Sequence, residues 1–198
     1  MIATNVQPFM FEQDNMDNIL SVLDKGGLIL YPTDTIWGIG CDACNEMAIN
    51  RIYALKRRSP ETDLVVLVDS MSMLKKYVRH VHPRIDTLLH YHVRPLTVVY
   101  ADARNLPSNV VAQDGSISIR IAQDEFCREL IAAFGRPIIA SSASVSGESA
   151  PASFGSVSSQ IIQNVDYVVK HRQYDTEARE PSVLIKVDEE GELLFLRD

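Results

Sequence analysis

The sequence predicts an α/β fold, a mixed sheet with helices packed against it, on three observations. Short β-branched runs alternate with amphipathic stretches of helical length, and strands separated by helices bury their apolar faces in a layered arrangement. Ser116-Ile117-Ser118-Ile119-Arg120-Ile121 alternates strictly between polar and apolar, the period of a strand with one buried face. Near the C-terminus two apolar runs are joined by Glu189-Glu190-Gly191, as in a hairpin, which makes the sheet mixed.

The elements follow in chain order. A helix over residues 14–25 is stopped by Gly26-Gly27, because glycine tolerates the left-handed cap. The apolar run 28–31 is a strand. Residues 46–56 form a helix with Asn45 as N-cap and Ile49, Ile52 and Tyr53 as its buried stripe. Strand 64–68 precedes helices over 72–79 and 84–90. Strands at 96–101 and 116–121 lead to a helix at 125–134 and a strand at 137–140. Strands at 165–169, 183–187 and 193–196 complete the set, and no internal repeat or linker interrupts it.

Composition narrows the function classes. The 198 residues suit a single domain, and 46% hydrophobic with 23% charged is ordinary for a soluble globular chain, which excludes disordered and collagen-like classes. A formal net charge of -7 repels phosphate backbones, so the chain is no generic nucleic-acid coater. Any anion site is therefore built locally. Positive charge gathers at Arg51, Lys56, Arg57 and Arg58, and again at Lys75, Lys76, Arg79, Arg84 and Arg94; residues 175–198 are acidic. Three cysteines (Cys41, Cys44, Cys127) do not make a secreted disulfide framework. The first residues lack a charged, apolar leader, and no apolar run approaches the ~20 residues of a membrane helix. The expectation is a cytoplasmic protein with no membrane partner.

Several motifs fail on inspection. No GxxxxGK[ST] loop is present, and Gly38-Ile39-Gly40 begins a dinucleotide fingerprint whose third glycine position holds Ala43. Cys41-x-x-Cys44 with His80/His82 and His90/His92 could make a zinc hydrolase site, but the ligand pairs lack matching spacing, and small semi-buried cysteines with surface histidines are the simpler reading. Ser72-x-x-Lys75 lacks the companion motifs of the penicillin-binding enzymes and reads as helix capping.

Three segments carry chemistry. Tyr31-Pro32-Thr33-Asp34-Thr35-Ile36-Trp37-Gly38 follows a strand, a rigid hydroxyl-rich turn where open α/β sheets place ligands. Lys56-Arg57-Arg58 ends a helix, where cations suit the dipole; three without a nearby acid exceed that need and fit a phosphate or carboxylate clamp. Ser141-Ser142-Ala143-Ser144-Val145-Ser146-Gly147 follows a strand and offers hydroxyls and backbone N–H groups to an anion. Each alone has a bland alternative: a turn with a core tryptophan, a helix cap, a polar loop.

In order and combination they resemble the YrdC-like family, whose hallmarks are a YPT(D/E)T turn, a KxR pair and a later SxN within an SAN-x-SG loop. Here these read Tyr31–Thr35, Lys56-x-Arg58 and Ser142-Ala143-Ser144-Val145-Ser146-Gly147. Pro95-Leu96-Thr97, Ile119-Arg120 and Pro181-Ser182 match further. The resemblance implies a single domain over residues 1–198, a twisted mixed sheet around a large concave, positively charged cavity. It implies synthesis of threonylcarbamoyl-AMP and pyrophosphate from L-threonine, bicarbonate and ATP, with Mg2+ on the triphosphate, for tRNA modification by downstream proteins. Lys56 and Arg58 would then be catalytic, Arg120 would pair with the threonine carboxylate and Thr35 would contact the amino acid. Ser142, Ser144 and Ser182 would be hydroxyl contacts to phosphate or substrate. The chain departs from the pattern at Ser144, where the family has asparagine, at Arg94, where glycine is usual, and in the acidic loop Ser59-Pro60-Glu61-Thr62-Asp63. Ser144 favours a second reading, a catalytically weakened relative that binds double-stranded RNA, tRNA or a nucleotide.

Overall fold

The computed structural model describes residues 14–57, 64–177, 179–188 and 190–197. Helix α1 (Met16–Asp24) leads into strand β1 (Ile29–Tyr31) and strand β2 (Gly38–Gly40), then α2 (Glu46–Lys56) and β3 (Val65–Val68). Helices α3 (Met71–Tyr77) and α4 (Pro83–Tyr91) precede β4 (Leu96–Tyr100), β5 (Ile117–Ile121), α5 (Glu125–Phe134) and β6 (Ile138–Ser142). A 3-10 turn at Phe154–Ser156, α6 (Ser159–Asn164), β7 (Tyr167–Val168), β8 (Val183–Val187) and β9 (Leu193–Arg197) complete the chain.

The strands form one sheet in the order β7-β1-β2-β6-β3-β5-β4-β8-β9. Pairs β1/β7, β3/β5 and β4/β8 are parallel and the other neighbours antiparallel, so the sheet is mixed as the sequence predicts. Helix α2 has the expected bounds, and Asn45 caps it by accepting from the Ala48 amide at 3.1 Å. Helix α5 likewise has its expected bounds; Asp124 caps it and Gly135 closes it in the left-handed conformation, φ +72°. Buried leucine, isoleucine, valine and phenylalanine from α1, α2, α5 and the central strands make a continuous core.

Several expectations need correction. Gly38-Ile39-Gly40 lies outside the expected strands yet forms strand β2, and the reason is packing. A Cβ on Gly40 would lie 2.6 Å from Tyr31 Cε1 and 2.8 Å from the Ile139 carbonyl, because the Tyr31 ring crosses Gly40 to donate to that carbonyl at 2.8 Å. Strand β6 runs two residues further than expected, so Ser141 and Ser142 belong to the sheet, held by pairing with Ile39 and Gly38. Helix α6 was not expected at all. Ser72 lies inside α3, whose cap is Ser70. Both faces of β5 are buried, Ser118 and Arg120 included, where alternation predicts only one. His80 and His82 lie between helices, as the expected bounds have them, and His82 caps α4, accepting from the Arg84 amide at 3.2 Å. Among the described residues no three His, Cys, Asp or Glu side chains gather into a set that could hold a metal ion. None of the described helices is long and apolar enough to cross a membrane.

Candidate functional site

The β1–β2 connection, residues 32–37, is the hydroxyl-rich turn, and the antiparallel pairing of Tyr31 with Gly38 closes it. Gly38 also pairs with Ser142, while Arg120 on β5 pairs with Thr97 on β4, and Leu96 at the start of β4 pairs with Val183 on β8. Sheet register thus brings residues far apart in sequence to one place. They line a cavity of about 280 Å³, in which Thr35, Arg120, Ser142 and Ser182 of the expected residues meet. A larger open depression of about 530 Å³ contains none of them, and its charged lining is three acids, Asp69, Glu125 and Glu129, against Arg128.

The turn is held by its own hydroxyls. Thr33 Oγ1 lies 3.0 Å from Thr35 Oγ1, donates to the Ile36 carbonyl at 2.8 Å and accepts from the Thr35 amide at 3.1 Å. Between them Asp34 faces Arg120, with Nη2 to Oδ1 at 3.1 Å and each side chain only 5% exposed. Asp34 Oδ2 accepts from the Gln123 amide at 3.1 Å. Arg120 Nε is buried without a hydrogen-bond partner among the described residues, a donor able to serve a group that enters. Arg120 therefore pairs here with a protein carboxylate, in the geometry that a substrate carboxylate would also use.

Sequence reasoning missed Arg197. Its Nε donates to the Ser182 carbonyl at 2.9 Å and its Nη2 to Ser182 Oγ at 3.1 Å; that hydroxyl lies 2.7 Å from Thr97 Oγ1. A register shift between β8 and β9 sets Leu184 opposite Arg197 and Ile185 opposite Phe195, and such a bulge re-aims the side chain beside it. Burial first, and the neighbouring Arg120 charge second, pull the Arg197 guanidinium below its ordinary pKa. Two guanidiniums thus line one cavity, Arg120 paired with the Asp34 carboxylate and Arg197 with Ser182. No local signal marks Arg197, because it stands in an acidic stretch and reaches the cavity only through pairing.

Lys56 is 1% exposed. At the end of α2 its Nζ donates to the Ser142 carbonyl and, at 3.0 Å, to Ser142 Oγ. Ser142 Oγ in turn lies 3.2 Å from Ser144 Oγ, and the Ser146 amide donates to the Lys56 carbonyl at 2.9 Å. Lys56, Ser142 and Ser144 are thus one group, with Ser142 on the cavity wall. Arg57 adopts the left-handed cap at φ +52° and is exposed, which fits the helix-end role. Arg58 and the loop at residues 59–63 lie outside the described residues.

The Sua5/YciO/YrdC family model, described as "Telomere recombination", matches residues 21–198. A threonylcarbamoyl-AMP synthase of Pseudoalteromonas translucida is 29% identical over 163 residues, 81% of this chain and 87% of that protein. Among solved structures, P. abyssi Sua5 complexed with L-threonine is similar with a TM-score of 0.79 at 24% identity over 92% of this chain, which spans 53% of that one, about half its length. E. coli YciO has a TM-score of 0.79 at 18% identity, over 92% of this chain and 88% of that one. The structures share the fold, and the family match covers the turn, Lys56, β5, the serine segment and β9 together: the chain belongs to the Sua5/YciO/YrdC family.

Proposed function

We propose that the protein is an L-threonylcarbamoyladenylate synthase. The observation that carries the reading is the cavity in which Thr35, Arg120, Ser142 and Ser182 meet, with Arg197 added and Lys56 bonded to Ser142 of its lining. The name of the Pseudoalteromonas relative and the threonine bound to P. abyssi Sua5 support it. The threonine amine attacks bicarbonate, water leaves, and a carbamate results. A carbamate oxygen then attacks the α-phosphorus of ATP; the bond from that phosphorus to the bridging oxygen breaks and pyrophosphate departs. Carbamate and triphosphate repel each other, so the protein's task is to hold two anions in contact, by positioning and by fixed positive charge. Arg120 takes the threonine carboxylate, Thr35 contacts the amino acid, Lys56 and Arg58 neutralise charge at the reacting phosphate, and Ser142, Ser144 and Ser182 donate hydroxyls. Mg2+ enters as part of the MgATP substrate. The described residues gather no ligand set for a resident ion, and Asp34 is engaged by Arg120 and the Gln123 amide.

Purified protein given ATP, L-threonine and bicarbonate is expected to release pyrophosphate only when all three are present; release independent of threonine or bicarbonate overturns the reading. The product would pass to proteins that transfer it to tRNA. Ser144 in place of the family asparagine favours a second reading, a weakened relative that binds RNA or a nucleotide. Steeply salt-dependent RNA binding with no ATP turnover would select it.

A further inference from the structure

Arg172 lies outside every motif that carries the family resemblance, yet three acceptors converge on its guanidinium. Nη1 donates to the Thr33 carbonyl at 3.1 Å and to Asp124 Oδ2 at 2.8 Å, and Nε donates to Asp175 Oδ2 at 2.8 Å. The side chain is 14% exposed. Its backbone stands at φ +62°, a left-handed conformation that a residue other than glycine keeps only where its surroundings over-determine it.

The surroundings do so. Asp14 accepts from the Lys170 and His171 amides, at 2.9 and 2.7 Å, and from the Tyr167 hydroxyl at 3.0 Å. The His171 ring stacks on Phe126 of α5 with centroids 5.2 Å apart. Asp124, the partner of Arg172, also caps α5 by accepting from the Cys127 amide at 3.1 Å. The segment from Lys170 to Asp175 is thus moored to α1's approach and to α5, and from that mooring it delivers one cation to one carbonyl. That carbonyl belongs to Thr33. The turn's other bonds include internal hydroxyl contacts, the grip of Asp34 on β5 and Gln123, and contacts at its two ends, from the Cys127 thiol to the Pro32 carbonyl and from the Ala143 amide to the Trp37 carbonyl. Arg172 ties the same turn to a second, independent part of the chain.

We propose that Arg172 is a positioning residue that fixes the Thr33–Thr35 turn, so that Thr35 and Arg120 are already arranged for the amino-acid substrate. This inference rests on the synthase activity proposed above. It predicts an effect on one substrate and not the other, because the roles proposed for Thr35 and Arg120 put the turn on the amino-acid side, and the bonds of Arg172 run to Thr33, Asp124 and Asp175.

The test uses Arg172→Met, which keeps bulk and removes charge and donors, and Arg172→Lys, which keeps the charge with a single donor head. At saturating ATP and bicarbonate, Arg172→Met is expected to raise KM for threonine ~10-fold, the usual cost of losing a charged hydrogen bond, with kcat and the KM for ATP little changed. Arg172→Lys should recover part of that loss. A threonine KM at the wild-type value, or equal rises for both substrates, overturns the proposal. Trp37, the chain's single tryptophan, gives a readout free of activity: it is the last residue of the turn and packs on Phe154 with ring centroids 5.0 Å apart. In Arg172→Met, acrylamide should quench it more readily and the amides of residues 33–37 should exchange faster, while β5 keeps wild-type protection. Unchanged quenching and exchange at the turn overturn the positioning role. If the wild-type protein shows no threonine-dependent turnover, the synthase reading falls alone, and these two measurements still decide whether Arg172 fixes the turn.

Discussion

At the Thr33–Thr35 turn, charged side chains hold one another: Arg120 faces Asp34, and Arg172 bridges Asp124 and the Thr33 carbonyl. At the end of α2 a lysine ammonium holds a strand instead, through the carbonyl and hydroxyl of Ser142. The first arrangement is a folded-state device as much as a binding one, because a buried charge pair broken on one side leaves the other charge stranded. The second sets a lysine ammonium against Ser142 of the cavity lining, where its charge can act on an arriving anion. Loss at the turn should therefore be felt first in stability, and loss at Lys56 first in rate.

The largest expected effect tests the first half of that contrast. Arg120→Met strands the Asp34 carboxylate, and urea unfolding should show a loss of ~3–5 kcal/mol, partly restored by adding Asp34→Asn. A loss below ~1 kcal/mol would mean that the pair is not what holds the turn. Lys56→Met tests the other half: pyrophosphate release should fall on the order of 10²–10³, as for one lost electrostatic donor. Retained activity in that variant sinks the assignment of Lys56 even if the reaction stands.

Gly40→Ala asks whether steric fit, not charge, sets the turn's base. The new methyl would meet Tyr31 Cε1 at 2.6 Å, and overpacking of that kind costs ~1–3 kcal/mol in thermal unfolding. Asn45→Ala removes the cap at the far end of the helix that carries Lys56 and should cost ~1 kcal/mol, with little change in threonine KM. The smallest effect is one of pH. Burial, chiefly, lowers the His171 pKa below its ordinary 6.5, so the unfolded chain binds the proton more readily. Its contribution to stability is complete above about pH 6.5 and declines as pH falls toward the lowered value. Urea midpoints at about pH 7.5 and about pH 5.5 should converge in His171→Gln relative to wild type.

How much of this was legible in the sequence depends on where the causes lie. Helix α2 is readable because its cap, stripe and final cation are all local; Asn45 and Ile49, Ile52 and Tyr53 act within one helix. Strand β2 is not, since glycine disfavours strands in isolation and Gly40 is required by the Tyr31 ring and the Ile139 carbonyl that close over it. The serine segment reads as a loop from its hydroxyls, whereas pairing of Ser142 with Gly38 draws its first residues into β6. Arg120 reads as the polar side of an alternating strand; only the Asp34 carboxylate that the β1–β2 turn brings against it explains its burial. Arg197 and Arg172 act across the sheet through register and through a left-handed turn, and neither leaves a mark in the residues around it.

The strand order has a consequence in time. Gly38 meets Ser142, β1 meets β7, and Ser182 waits for Arg197, so the cavity is made almost wholly of contacts between distant parts of the chain. Closing such loops comes before any reward from the contacts they make, which slows folding relative to helical chains of similar size. During synthesis the ribosome releases α1, β1 and β2 long before β6 exists to cover the glycine strand. Until β9 is made, Ser182 lacks its guanidinium, and the nascent protein has most of its core but not its site.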